Sequence, residues 1–107
     1  MPRIKDGFKG ERAIVLPAFL IEELKQDPLG SELYITDIGY YPHAYFHYRK
    51  RDTEEVTEFI LIYCMEGDGW FELDKHQYAV TANQFFILPE HQAHAYGSNE
   101  ENPWTIY

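Results

Sequence analysis

Between Phe59 and Tyr96 the chain is cut into short strand-like runs by tight turns, and that rhythm constrains the fold more than anything else in the sequence. The runs are Phe59–Met65, Trp70–Leu73 and Phe85–Leu88; Glu66-Gly67-Asp68-Gly69 and Asp74-Lys75-His76-Gln77 interrupt them. Four to seven apolar or alternating residues between Gly- and Asp-rich breaks are too short for stable helices and suit an antiparallel meander. We read the stretch as half of a small β-barrel, with the Glu66–Gly69 break as a hairpin turn. Because successive strand side chains alternate faces, Trp70 and Phe71 are expected on opposite sides of their strand.

With 107 residues the chain makes one domain, which buries roughly two-thirds of its unfolded surface and needs no staples. Aromatic residues form 17% of the sequence, which favours strands over helices. A net charge of −9 repels a phosphate backbone, and no Lys/Arg stripe counters it, so this segment is not expected to bind DNA itself. The lone Cys64 lies inside an apolar run, which excludes an intrachain disulfide and reads as a small buried hydrophobe. No run approaches the eighteen or so apolar residues that span a bilayer, and Met1–Gly10 is polar and charged where a signal peptide is apolar, so the expected location is the cytoplasm.

In chain order, residues 1–12 mix charge with two glycines and read as a mobile arm. Ala13–Leu16 is a short β-prone run. Phe19 to Lys25 predicts one or two helical turns, ended before Pro28 and Gly30, that cap one end of the barrel. Leu33–Tyr41 reads as a strand with Ile35 and Ile38 inward and Gly39 as a bulge, Tyr45–Arg49 as a second strand, and Lys50–Thr57 as a charged loop. Gly97–Asn102 is a turn-rich loop before a last strand opened by Pro103 and Trp104, inside which the sequence stops.

Nucleophilic catalysis finds little support: Cys64 is mid-strand, no Gly-x-Ser-x-Gly occurs, and Ser31 and Ser98 stand in turn sequences beside glycines. Glu66–Gly69 is acidic and joins strands, so it is not a phosphate loop. His43 and His47 share a face on a strand or a helix, and with His94 they make a conceivable metal set; the plainer reading is a turn residue and a hydrogen-bonded strand residue. What remains is an aromatic-walled barrel carrying Arg49, Arg51, His94, Tyr96 and Trp104. Such a set stacks on the C–H faces of a small polyhydroxylated molecule and hydrogen-bonds its hydroxyls, though the same residues also serve as ordinary core aromatics and surface arginines.

The run from Asn83 to Ser98 resembles the second half of the cupin signature: Pro89 and His94 fit, while Asn83 and His91 stand where it has glycines and Ser98 where it has Asn. The first half, a His-x-His followed by Glu, is missing, since counting back from Gly67 places Ile60 at the Glu and Glu54-Glu55-Val56 at the histidines. A metal-free domain with no cofactor is therefore expected, because three ligands must converge on one ion.

LYITDIGYYPHA, HYRKR, FILIYCMEGDGW, NQFFILPEHQAHAYG and NPWTIY together resemble the N-terminal sensor domain of AraC-type transcriptional regulators, strongly over residues 33–107 and more loosely over 11–32. The resemblance implies an all-β, cupin-like double-stranded β-helix, or jelly-roll barrel, with a short N-terminal helical segment. It divides the chain into a flexible arm, residues 1–12, and a sensor domain, residues 13–107, truncated within its last strands. It implies a non-enzymatic domain that binds a small polar effector, a monosaccharide in the arabinose-binding members. It also implies homodimerisation, and DNA contact only through a separate C-terminal helix-turn-helix domain that this sequence lacks. Arg51 matches the family's sugar-binding arginine and Tyr96 its tyrosine. Trp104 matches a pocket tryptophan, and Ile106 stands where the family has a contact histidine, so the candidate ligand residues are Arg51, His94, Tyr96, Trp104 and Ile106. The alternative is a small metal-dependent cupin enzyme using His43, His47 and His94.

Overall fold

The computed structural model of the chain describes residues 3–30 and 33–107; Ser31 lies outside them. The elements in order are β1 (Arg12–Val15), α1 (Ala18–Gln26), β2 (Asp37–Tyr40), β3 (Tyr48–Arg51), a 3-10 turn (Thr53–Glu55) and β4 (Ile60–Glu66). They continue with β5 (Gly69–Leu73), β6 (His76–Val80), β7 (Gln84–Leu88), β8 (His94–Ser98) and β9 (Thr105–Ile106). Two antiparallel sheets, β3-β8-β5-β6 and β7-β4-β9, face each other, and an antiparallel pair of β1 and β2, with α1 in the connection between them, joins the second through a Tyr41–Ile106 bridge.

This is a jelly roll rather than the expected meander, because β4 and β5 lie in different sheets. Glu66–Gly69 is therefore a crossing between sheets, not a hairpin turn. Two glycines make the crossing possible. Gly67 has φ +75°, and a Cβ there would meet the Pro103 carbonyl; a Cβ on Gly69 would enter the Trp104 ring. The true hairpin is β5–β6, closed by Asp74 and Lys75, both at positive φ, which matches the twist of the flanking strands. Asn83 and His91, at the two signature glycine positions, have φ values of 67° and 59°. Asn and His are among the side chains that tolerate this left-handed region, so they keep the signature's backbone without its glycines.

The core fills the space between the sheets. Ile62, Cys64, Phe86, Leu88, Trp104 and Ile106 are buried there, with Phe71 and Leu73 partly buried against them. Phe71 stacks on Phe86 at 4.3 Å between centroids, whereas Trp70 packs on Tyr48 on the opposite face, so the two adjacent aromatics do diverge. Phe71 is only half-buried because β6 and β7 are edge strands of their sheets with no ladder between them.

Several expectations fail for identifiable reasons. The helix α1 forms where predicted but buries none of its residues, with Phe19 exposed, so it does not cap the barrel. Ile35 and Ile38 point outward, 62% and 50% exposed, and Gly39 pairs with Ala13 in regular register rather than forming a bulge. β6 was concealed by the turn residues at its start. The end of β8 was concealed by its small residues: Gly97–Asn102 reads as a loop, yet Gly97 and Ser98 close a strand whose five residues are all buried between β3 and β5. Ser98 is consequently a strand residue, and its hydroxyl donates to the Ala44 carbonyl at 2.6 Å. Residues 3–12, expected as a mobile arm, pack against the barrel. Ile4 exchanges backbone hydrogen bonds with Phe46 and Tyr48, and Phe8 is buried against Tyr41, Tyr45 and His47.

Candidate functional site

The pairing of β3, β8 and β5 builds the site. Arg51 lies opposite His94, which lies opposite Leu73; Arg49 lies opposite Tyr96, which lies opposite Phe71. Residues directly opposed across antiparallel strands share a face, and Phe71 and Tyr96 face the core, so both arginines start from the inner side of the barrel. The i, i+2 spacing of Arg49 and Arg51 carried that information in the sequence once the segment was known to be a strand.

Arg51 Nη1 donates to His94 Nε2 at 3.1 Å and reaches the Tyr96 hydroxyl at 3.4 Å, with its guanidinium 5.8 Å from the Tyr96 ring centroid. Because guanidinium only donates, Nε2 is the acceptor and the imidazole proton sits on Nδ1. That atom is buried and has no partner at hydrogen-bonding geometry. Burial, followed by the charge of Arg51, lowers the His94 pKa to about 4, against the weaker opposing pull of the Gln92 backbone, so the ring is neutral at pH 7.

A second buried histidine stands behind the first layer. The Trp104 indole N–H donates to His47 Nδ1 at 3.2 Å, a contact that spacing alone did not disclose. Burial is the largest cause of the lowering of its pKa to about 4, with the Lys5 backbone holding against it. Trp104 is fully buried and lies 6.2 Å from the Tyr96 ring, while Ile106 is buried on the other sheet opposite Cys64. Arg51, His94 and Tyr96 are thus in mutual contact and Trp104 packs under Tyr96; Ile106 belongs to the far wall. Cys64 is inert packing: burial raises its thiol pKa, and its S–H points at the Glu66 carbonyl.

The histidine set of the alternative reading does not assemble. His43 is an exposed turn residue at φ 41°, His47 is engaged by Trp104 and His94 by Arg51, and among the described residues no three His, Cys, Asp or Glu side chains form a group that could hold a metal ion. Two open grooves lie to the side of the polar cluster. One, between β6 and β7, includes Phe71, Tyr78 and Phe85, and the other runs over Trp70 and Ser98–Glu101. Phe71 belongs both to the first groove and to the inner wall.

The two sheets form a jelly roll of the cupin type, with Arg51, His94 and Tyr96 converging on its inner wall beside Phe71 and Trp104. Comparison with known proteins gives the family. Residues 38–107 match the AraC-like ligand binding domain, and the chain is 35% identical over 96 residues to the MmsAB operon regulatory protein of Pseudomonas aeruginosa. That match covers 86% of this chain and 31% of the relative, so the chain spans about a third of the regulator's length. The chain belongs to the AraC-like ligand-binding domains. A cupin superfamily protein from Desulfitobacterium hafniense has the same fold, with a TM-score of 0.51 and 12% identity over 96% of this chain and 78% of that one. The plu4264 protein from Photorhabdus luminescens also matches, with a TM-score of 0.47 and 17% identity over 64% of this chain and 54% of that one. No helix among the described residues is long and apolar enough to cross a membrane.

Proposed function

We propose that this domain senses a small polar effector, of about monosaccharide size, for a bacterial transcription regulator, and that it acts by binding in the cytoplasm and not by turnover. The observation that carries the reading is the contact of Arg51 with His94 and Tyr96 inside an aromatic-lined barrel. Arg51 and Tyr96 supply directional hydrogen bonds, His94 holds Arg51 in place, and the ring of Tyr96, backed by the buried Trp104, supplies a flat apolar surface of the kind that a sugar's C–H face stacks on.

Occupancy controls a helix-turn-helix domain elsewhere in the regulator through a population shift, which requires that the effector bind one arrangement of the domain better than another. Residues 3–12 are the candidate moving part, since Ile4 and Phe8 pack on the Phe46–Tyr48 segment that leads into β3 and so to Arg51. The domain also pairs with a second copy. Leu61, Phe85 and Ile87 are 61%, 64% and 50% exposed on the outer face of β4 and β7, where Leu61 stands opposite Ile87, and a two-fold axis would use this one patch twice.

A thermal-shift screen of monosaccharides and related small polar molecules tests the pocket. Its stabilising members should lose their effect in both Arg51→Ala and Tyr96→Phe; a ligand whose effect survives both substitutions overturns the assignment.

A further inference from the structure

The inner wall of β3 and β8 carries positive charge that no carboxylate among the described residues pairs with. Among the described residues the contacts at salt-bridge distance are those of Lys25 with Glu22 and of the His91 ring with Glu90, so neither Arg49 nor Arg51 has a carboxylate within 4 Å. This occurs in a chain of net charge −9, where acidic side chains outnumber basic ones 18 to 9. The acidic residues that follow Arg51 in sequence are committed to each other's backbone: Asp52 and Glu55 form a capping box around the 3-10 turn. Arg51 is left with neutral partners, the ring of His94 and the hydroxyl of Tyr96.

The cluster is also rich in donors and poor in acceptors. His94 Nε2 and the Tyr96 oxygen both accept from Arg51, which leaves the Tyr96 O–H without an acceptor in the cluster, while the buried His94 Nδ1–H lies against the Gln92 backbone. A neutral polyol brings as many donors as acceptors and leaves two guanidinium charges uncompensated. A carboxylate brings acceptors only and one negative charge, and it matches the guanidinium fork. A phosphate is the other anion that arginines hold, but its sites commonly add backbone N–H groups from a glycine-rich nest or a helix N-terminus, and here the donors are side chains projecting from two strands. The charges that act on His94 agree with this picture, since Arg51 and Arg49 both disfavour its protonation and no acidic group opposes them.

We infer that the effector is a small carboxylate, bound with its negative group between Arg51 and Arg49 and with its remaining surface against Tyr96. This rests on the sensing site proposed above and adds the charge of its ligand.

The test is nitrogen-15 NMR of the His94 ring and the arginine side chains in the full chain. Sodium acetate, sodium glucuronate, glucose and inorganic phosphate are titrated in turn, each against sodium chloride of matched ionic strength, with the exposed His91 as internal reference. Acetate is expected to move the His94 and Arg51 signals saturably at millimolar concentration, and glucuronate at least tenfold lower. Both responses should vanish in Arg51→Gln and weaken several-fold in Arg49→Gln. Arg51→Lys, which keeps the charge without the fork, should retain a weakened response, and unchanged dispersion elsewhere in the spectrum confirms that each variant is folded. If glucose moves these signals and the carboxylates do not, the pocket stands and the inferred charge is wrong. If phosphate saturates the site below either carboxylate, the anion class is wrong. If none of the four acts beyond chloride, the inference fails together with the sensing site beneath it.

Discussion

Acid should loosen this domain through a histidine it uses as a structural acceptor. His47 is 4% exposed, accepts the Trp104 N–H and titrates near 4 instead of 6.5. Between those two values the unfolded chain binds a proton that the folded chain refuses, so stability is complete above pH 6.5 and falls as the pH drops toward 4. At pH 5 the loss from His47 is about 2 kcal/mol, rising to about 3 kcal/mol once the folded form itself protonates. Set against a total stability of roughly 5–15 kcal/mol, that is a visible fraction, and His94, also lowered to about 4, contributes with the same sign. The assay is urea unfolding followed by tryptophan fluorescence from about pH 7.5 to about pH 5, for the wild type and for His47→Gln. The glutamine keeps an acceptor for Trp104 without the titration, so the variant should lose less stability on acidification by about 2 kcal/mol, whatever its stability at neutral pH. An identical pH slope in the two proteins would refute the argument.

Gly69→Ala places a methyl group in the Trp104 ring and 2.7 Å from the Gly97 carbonyl, between two strands that cannot separate, and should cost about 3 kcal/mol or more in denaturant unfolding, or abolish folding. Asn83→Ala removes the acceptor of the Tyr63 hydroxyl and puts a residue with little tolerance for φ 67° at the β6–β7 turn, for an expected loss of about 1–2 kcal/mol by the same measurement. Asn83→Gly, which loses only the hydrogen bond, should be milder. If the outer face of β4 and β7 is the pairing surface, Leu61→Asp or Phe85→Asp should turn a dimer into a monomer at high micromolar concentration by light scattering; a monomeric wild type, or dimeric variants, would remove that face from consideration. Protein purified without chelator should hold well under one equivalent of Fe, Mn, Ni or Zn, since His43, His47 and His94 do not form a ligand set; an equivalent of metal lost in His94→Ala would contradict this.

The residue types along the chain were enough to specify β structure, a single aromatic core and the polar inventory of the site. Alternation placed Trp70 and Phe71 on opposite faces, and the Pro89 and His94 spacing with the runs from Leu33 onward pointed to a cupin-type sensor, because these are local properties that each strand carries by itself. The partners of the strands were not legible. β4 and β5 look like a hairpin in sequence because their break is short, and only the burial of Trp104 against Gly67 and Gly69 sends them into separate sheets. The end of β8 looked like the start of a loop because Gly97 and Ser98 become strand residues only when β3 and β5 flank them on both sides. The site follows the same division. Arg51, His94 and Tyr96 could be named from their chemistry, but their contact, and the lack of a carboxylate beside Arg51 among the described residues, are long-range facts, fixed by which strands pair and in what register.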